Sequence, residues 1–471
     1  MTNKHAVVIG SGPNGLSAAI VAAQAGFSVD VFEAEGTLGG AARTLELTLP
    51  GFHHDFGSAV HPMAAASPFF STLPLHEHGL QWIHSPAALA HPFDDGTAVT
   101  LECNLEDQAH VLGADGSAWK RLMYPLVSQW WELAEELLRP LTRVPKHPLA
   151  LARFGSQAVL PARLLANALF KTERAKALFA GIVAHSSLSL NEPFSASFGI
   201  VLGATGHVVG WPIPRGGAQA ITNALSQHLQ TLGGRITTEH AVEDLRALGQ
   251  FDLALCDVSP PSLLRIAGGR FTPAYRRLLE QFRYGPGAFK VDYALSQPVP
   301  WRAPECTRAA TLHLGGSIGE VAASESAARN GKHSERPFVL LSQPTLFDPS
   351  RAPAGKHIVW AYCHVPNGST FDMLPRLEAQ IERFAPGFRE CVIERRVSRP
   401  TDLNAHDANI VGGDINGGLP DWEQILFRPT WRQYATPARN VYLCSASTPP
   451  GGGVHGMCGY NAAKLALARL S

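Results

Sequence analysis

The segment Gly51-Phe52-His53-His54-Asp55-Phe56-Gly57-Ser58-Ala59-Val60-His61 gathers three imidazoles and a carboxylate into one short stretch. A His or Asp there can act as general acid or base if it lies within hydrogen-bond reach of a bound molecule. Two roles stay open for each candidate. His54 is either such a group or a structural imidazole satisfied by hydrogen bonds, and Asp55 is either an acid–base group or a turn cap. Near the other end of the chain, His455 follows Gly451-Gly452-Gly453-Val454. It either reaches the edge of a molecule held at that turn or bonds its own backbone. Asp414 and Asn416 sit in a further glycine-rich stretch, Gly412 to Gly418. The cysteines, seven in all, are scattered with no Cys-x-x-Cys pair. They are expected to be reduced, small core residues, and no metal-ligand set is read.

The elements that must position these groups begin at the N-terminus. His5 to Ile9 is a short apolar run and predicts a strand. Gly10-Ser11-Gly12-Pro13-Asn14-Gly15 follows directly, then an Ala-rich stretch to Ala25 that predicts a helix ending at Gly26. Phe27 to Phe32 predicts a second strand, closed by Glu33. This is the order of a dinucleotide-binding βαβ unit. The first glycine permits the tight turn, the second lets backbone approach a pyrophosphate, and Gly15 lets the helix pack on the strand. The helix N-terminus offers free N–H groups and a positive dipole end to phosphates. Glu33 can accept from a ribose hydroxyl pair and would repel a 2′-phosphate.

After Ala34 comes Glu35-Gly36-Thr37-Leu38-Gly39-Gly40-Ala41-Ala42-Arg43-Thr44. Gly39 and Gly40 let a loop fold back on the diphosphate, and Arg43 can supply a cation. This spacing resembles the signature of FAD-containing oxidoreductases of the glutathione-reductase-like superfamily. Together with Pro214-Arg215-Gly216-Gly217, Gly412 to Gly418 and the Thr448 to Gly456 run, it resembles the phytoene-desaturase-like branch, including members known as pyridine nucleotide-disulfide oxidoreductase domain-containing proteins. The resemblance covers essentially the whole chain.

The resemblance implies an α/β fold: a glutathione-reductase-like Rossmann FAD-binding domain with an inserted substrate domain of mixed sheet plus helices. It implies FAD held by Gly10, Ser11, Gly12, Pro13, Asn14, Gly15, Glu33, Ala34, Gly39, Gly40, Ala42 and Arg43, by the Val242 backbone, and by Ser445, Gly452, Gly453, Val454 and His455. The helix from about Met457 would stabilise charge on the edge of a reduced flavin. Departures from the family matter too. No paired Cys supports a redox disulfide, and no aromatic stands beside Gly453-Val454-His455 as in flavin amine oxidases. Lys290 is either the lysine such oxidases hold near flavin N5 or a strand-edge surface residue.

The domain order follows from the pattern of predicted helices and strands, which leaves the nucleotide-binding unit and returns to it twice. Residues 1–91, 207–270 and 402–471 are expected to form a discontinuous FAD-binding domain, 92–206 a helical part and 271–401 a mixed-sheet part of the substrate domain. Ala241-Val242 is expected to begin a strand and 399–429 to be a long folded loop. The Pro148 to Phe170 stretch is strongly apolar but carries Arg153 and Arg163. It is either a buried bundle helix or the lining of a lipid-like cavity near a membrane surface. Trp211 and Trp360 either line a substrate cavity or pack the core.

Composition bounds the partners. The chain has 471 residues, with 39 basic and 39 acidic side chains, so no global field recruits nucleic acid. No run is apolar enough to cross a membrane, and the first strand begins too early for a cleaved signal peptide. A cytoplasmic protein is expected, with a peripheral membrane contact and a homo-oligomer left open. The leading expectation is an FAD-dependent enzyme that desaturates or dehydrogenates a hydrophobic, carotenoid-, isoprenoid- or lipid-like molecule by hydride transfer to flavin N5. An oxidase or isomerase of a smaller polar molecule and a flavin-binding scaffold are the alternatives. One nucleotide fingerprint leaves oxygen, a quinone or another carrier as the final electron acceptor.

Overall fold

The computed structural model describes residues 4–470. Its first layer is a five-stranded parallel sheet in the order Val441–Leu443, Leu253–Cys256, His5–Ile9, Ser28–Phe32, Arg235–Thr237. His5–Ile9 is central, and its alternation explains the two covered faces. Ala6 and Val8 join a core with Leu16, Ile20 and Leu225. Val7 and Ile9 point the other way, to Leu263 and Ile266 of the helix Pro260–Ala267. On the first face the helices Pro13–Gln24, Gln219–Thr231 and Met457–Leu470 pack together. Pro13 starts its helix where a missing N–H costs nothing.

The second layer is a seven-stranded mixed sheet: Val392–Ser398, Gly287–Leu295, His357–Val365, Val339–Ser342, Thr311–Leu314, Leu89–Pro92, Ala98–Leu101. All its neighbours are antiparallel except Thr311–Leu314 and Leu89–Pro92, where Leu312 meets Ala90 in parallel. Helices from Gly116–Val127 to Ser195–Val208 build an arm beside it, and share the larger core with the nucleotide-binding layer. A separate core of Phe289, Tyr293, Phe384 and Phe388 fills the far side of the sheet.

Several local expectations need correction. The boundary at 91/92 falls inside the strand Leu89–Pro92, that at 206/207 inside the helix Ser195–Val208, and that at 401/402 inside the helix Pro400–His406. Residues 399–429 are not one loop. They carry Pro400–His406 and Trp422–Leu426, started by Pro400 and capped by Asp421 respectively. Ala241 and Val242 belong to no strand, because Arg235–Thr237 is already the edge of its sheet and has no further neighbour.

Candidate active site

A single cavity of about 790 Å³ runs from the glycine turn after His5–Ile9, past the Gly451–Gly453 turn, to the mixed sheet and the helical arm. Gly10, Ser11, Gly12, Pro13, Asn14, Glu33, Ala34, Gly40, Ala42, Arg43, Val242, Ser445, Gly452, Gly453, Val454 and His455 all line it. Gly15 and Gly39 stand behind the lining and shape it. A Cβ on Gly15 would lie 2.1 Å from the Gly10 carbonyl, so only glycine lets the helix start this close to the strand. Gly10 itself has φ +96°.

The residues present fit an extended dinucleotide such as FAD. Glu33, almost fully buried at the end of its strand, holds the turn open by accepting from Ser11 N–H (2.9 Å), Ser11 Oγ and Glu35 N–H (3.1 Å). Asn14 Oδ1 is buried with no hydrogen-bond partner among the described residues, an acceptor facing the same cavity. Gly12 and Gly40 leave room where a Cβ would meet Asp257 Oδ2 at 2.8 Å and the Gly12 Cα at 3.4 Å. Arg43 is tied at Nε to the Gly40 carbonyl (2.7 Å) and at Nη2 to the His406 carbonyl (3.1 Å), so it closes the loop as well as lining the cavity.

His455 is buried and its Nδ1 accepts the Met457 N–H at 3.0 Å, capping the start of the last helix. Burial drives its pKa down to about 4, which keeps the imidazole neutral at the cavity wall. His54 and Asp55 do not reach the cavity. In the hairpin of Thr44–Glu46 with His53–Asp55 both are turned inward. His54 Nε2 bonds Thr48 Oγ1 at 2.8 Å, and its Nδ1 lies 3.7 Å from Asp292 Oδ1, beyond a hydrogen bond. Burial, then the cations Lys290 and Arg351, push its pKa down to about 3. Asp55 accepts from Thr44 Oγ1 (2.9 Å), Ala218 N–H (2.8 Å) and Arg351 Nη2 (2.9 Å). Its carboxylate therefore pins the Gly216-Gly217-Ala218 turn and stands outside the cavity lining.

Other groups stand where those residues were expected. His61 lines the cavity, with burial taking its pKa down to about 4. Lys290 is 3% exposed, not a surface residue; it ion-pairs with Asp292 and also lines the cavity. Trp211 and Trp360 belong to both core and lining, and Asn416 lines the wall beside Gly452. Asp257 was missed, although an acid directly after a buried strand beside the central one is a readable signal. Its Oδ2 accepts the Gly15 N–H at 2.8 Å. The apolar walls come from the arm: Leu151, Phe154, Phe194, Phe198, Val201 and Leu202. All seven cysteines are free thiols.

Residues 8–73 match the model of the NAD(P)-binding Rossmann-like domain family. Two relatives align over almost the full length. The chain is 25% identical to pyridine nucleotide-disulfide oxidoreductase domain-containing protein 2 of Rattus norvegicus, covering 99% of this chain and 93% of that protein. It is 25% identical to phytoene dehydrogenase of Streptomyces griseus, covering 96% and 92%. A solved oxidoreductase from Methanosarcina mazei superposes with a TM-score of 0.67 at 17% identity, covering 98% of this chain and all of that one, which shows a shared fold. The chain is thus an oxidoreductase with a Rossmann-like dinucleotide-binding fold, similar across nearly its whole length to these two kinds of protein.

Proposed function

We propose that the protein is an FAD-dependent dehydrogenase or desaturase of a hydrophobic molecule. The observation that carries this reading is the one continuous cavity, whose nucleotide end is made of glycine turns and Glu33 and whose far end is made of arm side chains. Bound there, FAD would supply a two-electron acceptor for a hydride leaving carbon. The chain's own contribution is position and dryness. Phe194, Phe198, Val201 and Leu202 hold an apolar molecule by burial and exclude water, while Trp211 and Trp360 wall the approach. His61 and His455 are neutral at the wall and add no charge that a hydrophobic molecule would have to desolvate. The five-stranded layer is the cofactor side in this reading, and the mixed sheet with the arm is the substrate side.

The arm also supports contact with a lipid surface. From Leu137 to Thr172 there is no Asp or Glu, while Arg139, Arg143, Lys146, Arg153, Arg163 and Lys171 are all present. The helix Pro148–Ala158 lines the cavity with Leu151 and Phe154 and leaves Leu149 78% exposed. Among the described residues no helix is long and apolar enough to cross a membrane.

The test is the absorbance of the purified protein, followed by denaturation and chromatography of what is released. FAD release and anaerobic bleaching by an apolar C–H donor are expected. A colourless protein that takes up no added FAD overturns the reading, and rapid reduction by a nicotinamide cofactor overturns the choice of oxygen, quinone or another carrier as acceptor.

A further inference from the structure

Four adjacent strands of the mixed sheet place one polar side chain each into a single row. Register pairs Asp292 with Trp360, Trp360 with Ser342 and Ser342 with Thr311. Directly opposed residues share a face, so all four point the same way. Each is more than nine-tenths buried. Each also carries an atom without a hydrogen-bond partner among the described residues: Asp292 Oδ1, Trp360 Nε1, Ser342 Oγ and Thr311 Oγ1. Trp360 and Thr311 open directly onto the cavity, as does Lys290, whose Nζ lies 5.9 Å from the Trp360 ring centre.

Such a row is not what packing against a plain hydrocarbon requires. Buried polar atoms are normally paired, and an unmet donor inside a protein is costly. A strand face meeting only apolar matter would carry Val, Leu or Ile, as the opposite face of this sheet does with Val291, Leu312, Leu341 and Val359. The row is polar only on the side that faces the cavity. The donors also select their partner. Indole N–H and the Lys290 ammonium only donate, whereas the Thr311 hydroxyl can do either. Asp292 Oδ1 only accepts, but it lies beside His54 Nδ1 and outside the cavity lining, so a ligand atom that meets the cavity-facing indole N–H of Trp360 must accept. The ammonium already pairs with Asp292, so the row adds little net charge of its own.

We propose that this row is a recognition site for an acceptor oxygen, and that the substrate is an apolar chain or ring system carrying a carbonyl or carboxylate rather than a pure hydrocarbon. The proposal rests on the hydrophobic-dehydrogenase reading above and adds the substrate's polar end to it. Trp360 Nε1 and Thr311 Oγ1 are the groups that contact that oxygen, and the arm side chains take the apolar remainder.

The experiment is equilibrium dialysis of the purified holoenzyme against three probes of equal chain length: dodecane, methyl decyl ketone and dodecanoate. The wild type is expected to bind at least one oxygenated probe about 10-fold more tightly than the alkane. Which of the two is preferred distinguishes a carbonyl from a carboxylate. Trp360→Phe, which removes the indole N–H together with part of the ring, and Thr311→Val, which is nearly isosteric, are both used in case one fails to fold. Either is expected to reduce the preference to within about 3-fold, through a loss of affinity for the oxygenated probe that exceeds any change for the alkane. Equal binding of all three probes, no binding of any, or an unchanged preference in both folded variants overturns the proposal. Because binding is read without turnover, its failure is separate from that of the enzymatic reading. A protein that binds the ketone but whose flavin is never reduced by any substrate would sink the dehydrogenase and leave the row standing.

Discussion

The Asp257 carboxyl accepts the Gly15 backbone N–H at 2.8 Å, across 242 positions of sequence. This one bond joins the end of the strand Leu253–Cys256 to the first turn of the helix Pro13–Gln24, beneath the glycine turn that lines the cavity. It satisfies a helix N-terminal donor that would otherwise be open. Burial pushes the carboxyl's pKa up to about 8; the Gly15 bond opposes this, and the nearby Asp407 and Glu33 add to it. The site is therefore built around an acid that is protonated at neutral pH.

This makes the pH dependence of stability specific. Unfolded, the group ionises near its ordinary value of 3.8; folded, near 8. Its share of stability is complete below about pH 4 and is lost as pH rises toward 8, because the unfolded chain ionises first. Asp257→Asn keeps an acceptor for Gly15 and cannot ionise. The variant is expected to melt higher than wild type, by at least about 1–3 °C at neutral pH and by a margin that widens up to about pH 8, in differential scanning fluorimetry. Wild-type affinity for FAD is expected to fall above that pH as ionised Asp257 adds a negative charge to the cavity wall beside Gly10 and Gly12. The variant's affinity should stay flat, as read by ultrafiltration of released flavin.

Helix contact at Gly459 is a second point of sensitivity. A Cβ there would lie 1.8 Å from the Asn14 carbonyl, with no room to move because both sides are backbone. Gly459→Ala is expected to cost about 1–3 kcal/mol and to lower flavin content, since the turn at Asn14 shifts with its helix. Gly155, inside the helix Pro148–Ala158, has nothing within 4 Å of a built Cβ. Gly155→Ala is expected to be neutral or up to about 1 kcal/mol stabilising. Urea unfolding of the two variants checks both.

Asp55→Asn separates structure from chemistry. It leaves Arg351, 1% exposed, without its carboxylate. Breaking a buried pair in this way costs about 3–5 kcal/mol. Folding yield and melting temperature should fall, while the fraction that folds should turn over at the wild-type rate per bound flavin. A loss of rate with unchanged stability would return Asp55 to the acid–base candidates. Replacing Arg351 with Met in the same chain should recover part of the loss, because neither charge is then left alone.

Lipid contact through the arm is checked by flotation. Binding to vesicles with anionic headgroups is expected to exceed binding to neutral ones and to weaken with salt, carried by Arg143, Arg153, Arg163 and Lys171, since Arg139 and Lys146 already pair with Glu136 and Glu135. Leu149→Asp should reduce it at least several-fold without changing flavin content. Equal binding to neutral vesicles at high salt would show that the cations contribute nothing.

Local rules were enough for the nucleotide end of the cavity. Gly10 to Gly15, Glu33, Gly39-Gly40 and the Gly451–Gly453 turn are readable because each depends on neighbours a few positions away: strand, turn, helix start. Strands such as Gly287–Leu295 and His357–Val365 were legible for the same reason, as short apolar or alternating runs. What only the tertiary structure decided is which distant segments share a face. Alternation says that one of His54 and Asp55 differs in direction from the next, but not that the hairpin is buried on both sides beneath Arg351 and Asp292. Lys290 reads as a strand lysine in either environment, and only the flanking strands His357–Val365 and Val392–Ser398 make it interior. The polar row at Asp292, Trp360, Ser342 and Thr311 is spread over four segments, and strand register, set by long-range pairing, is what makes it one site.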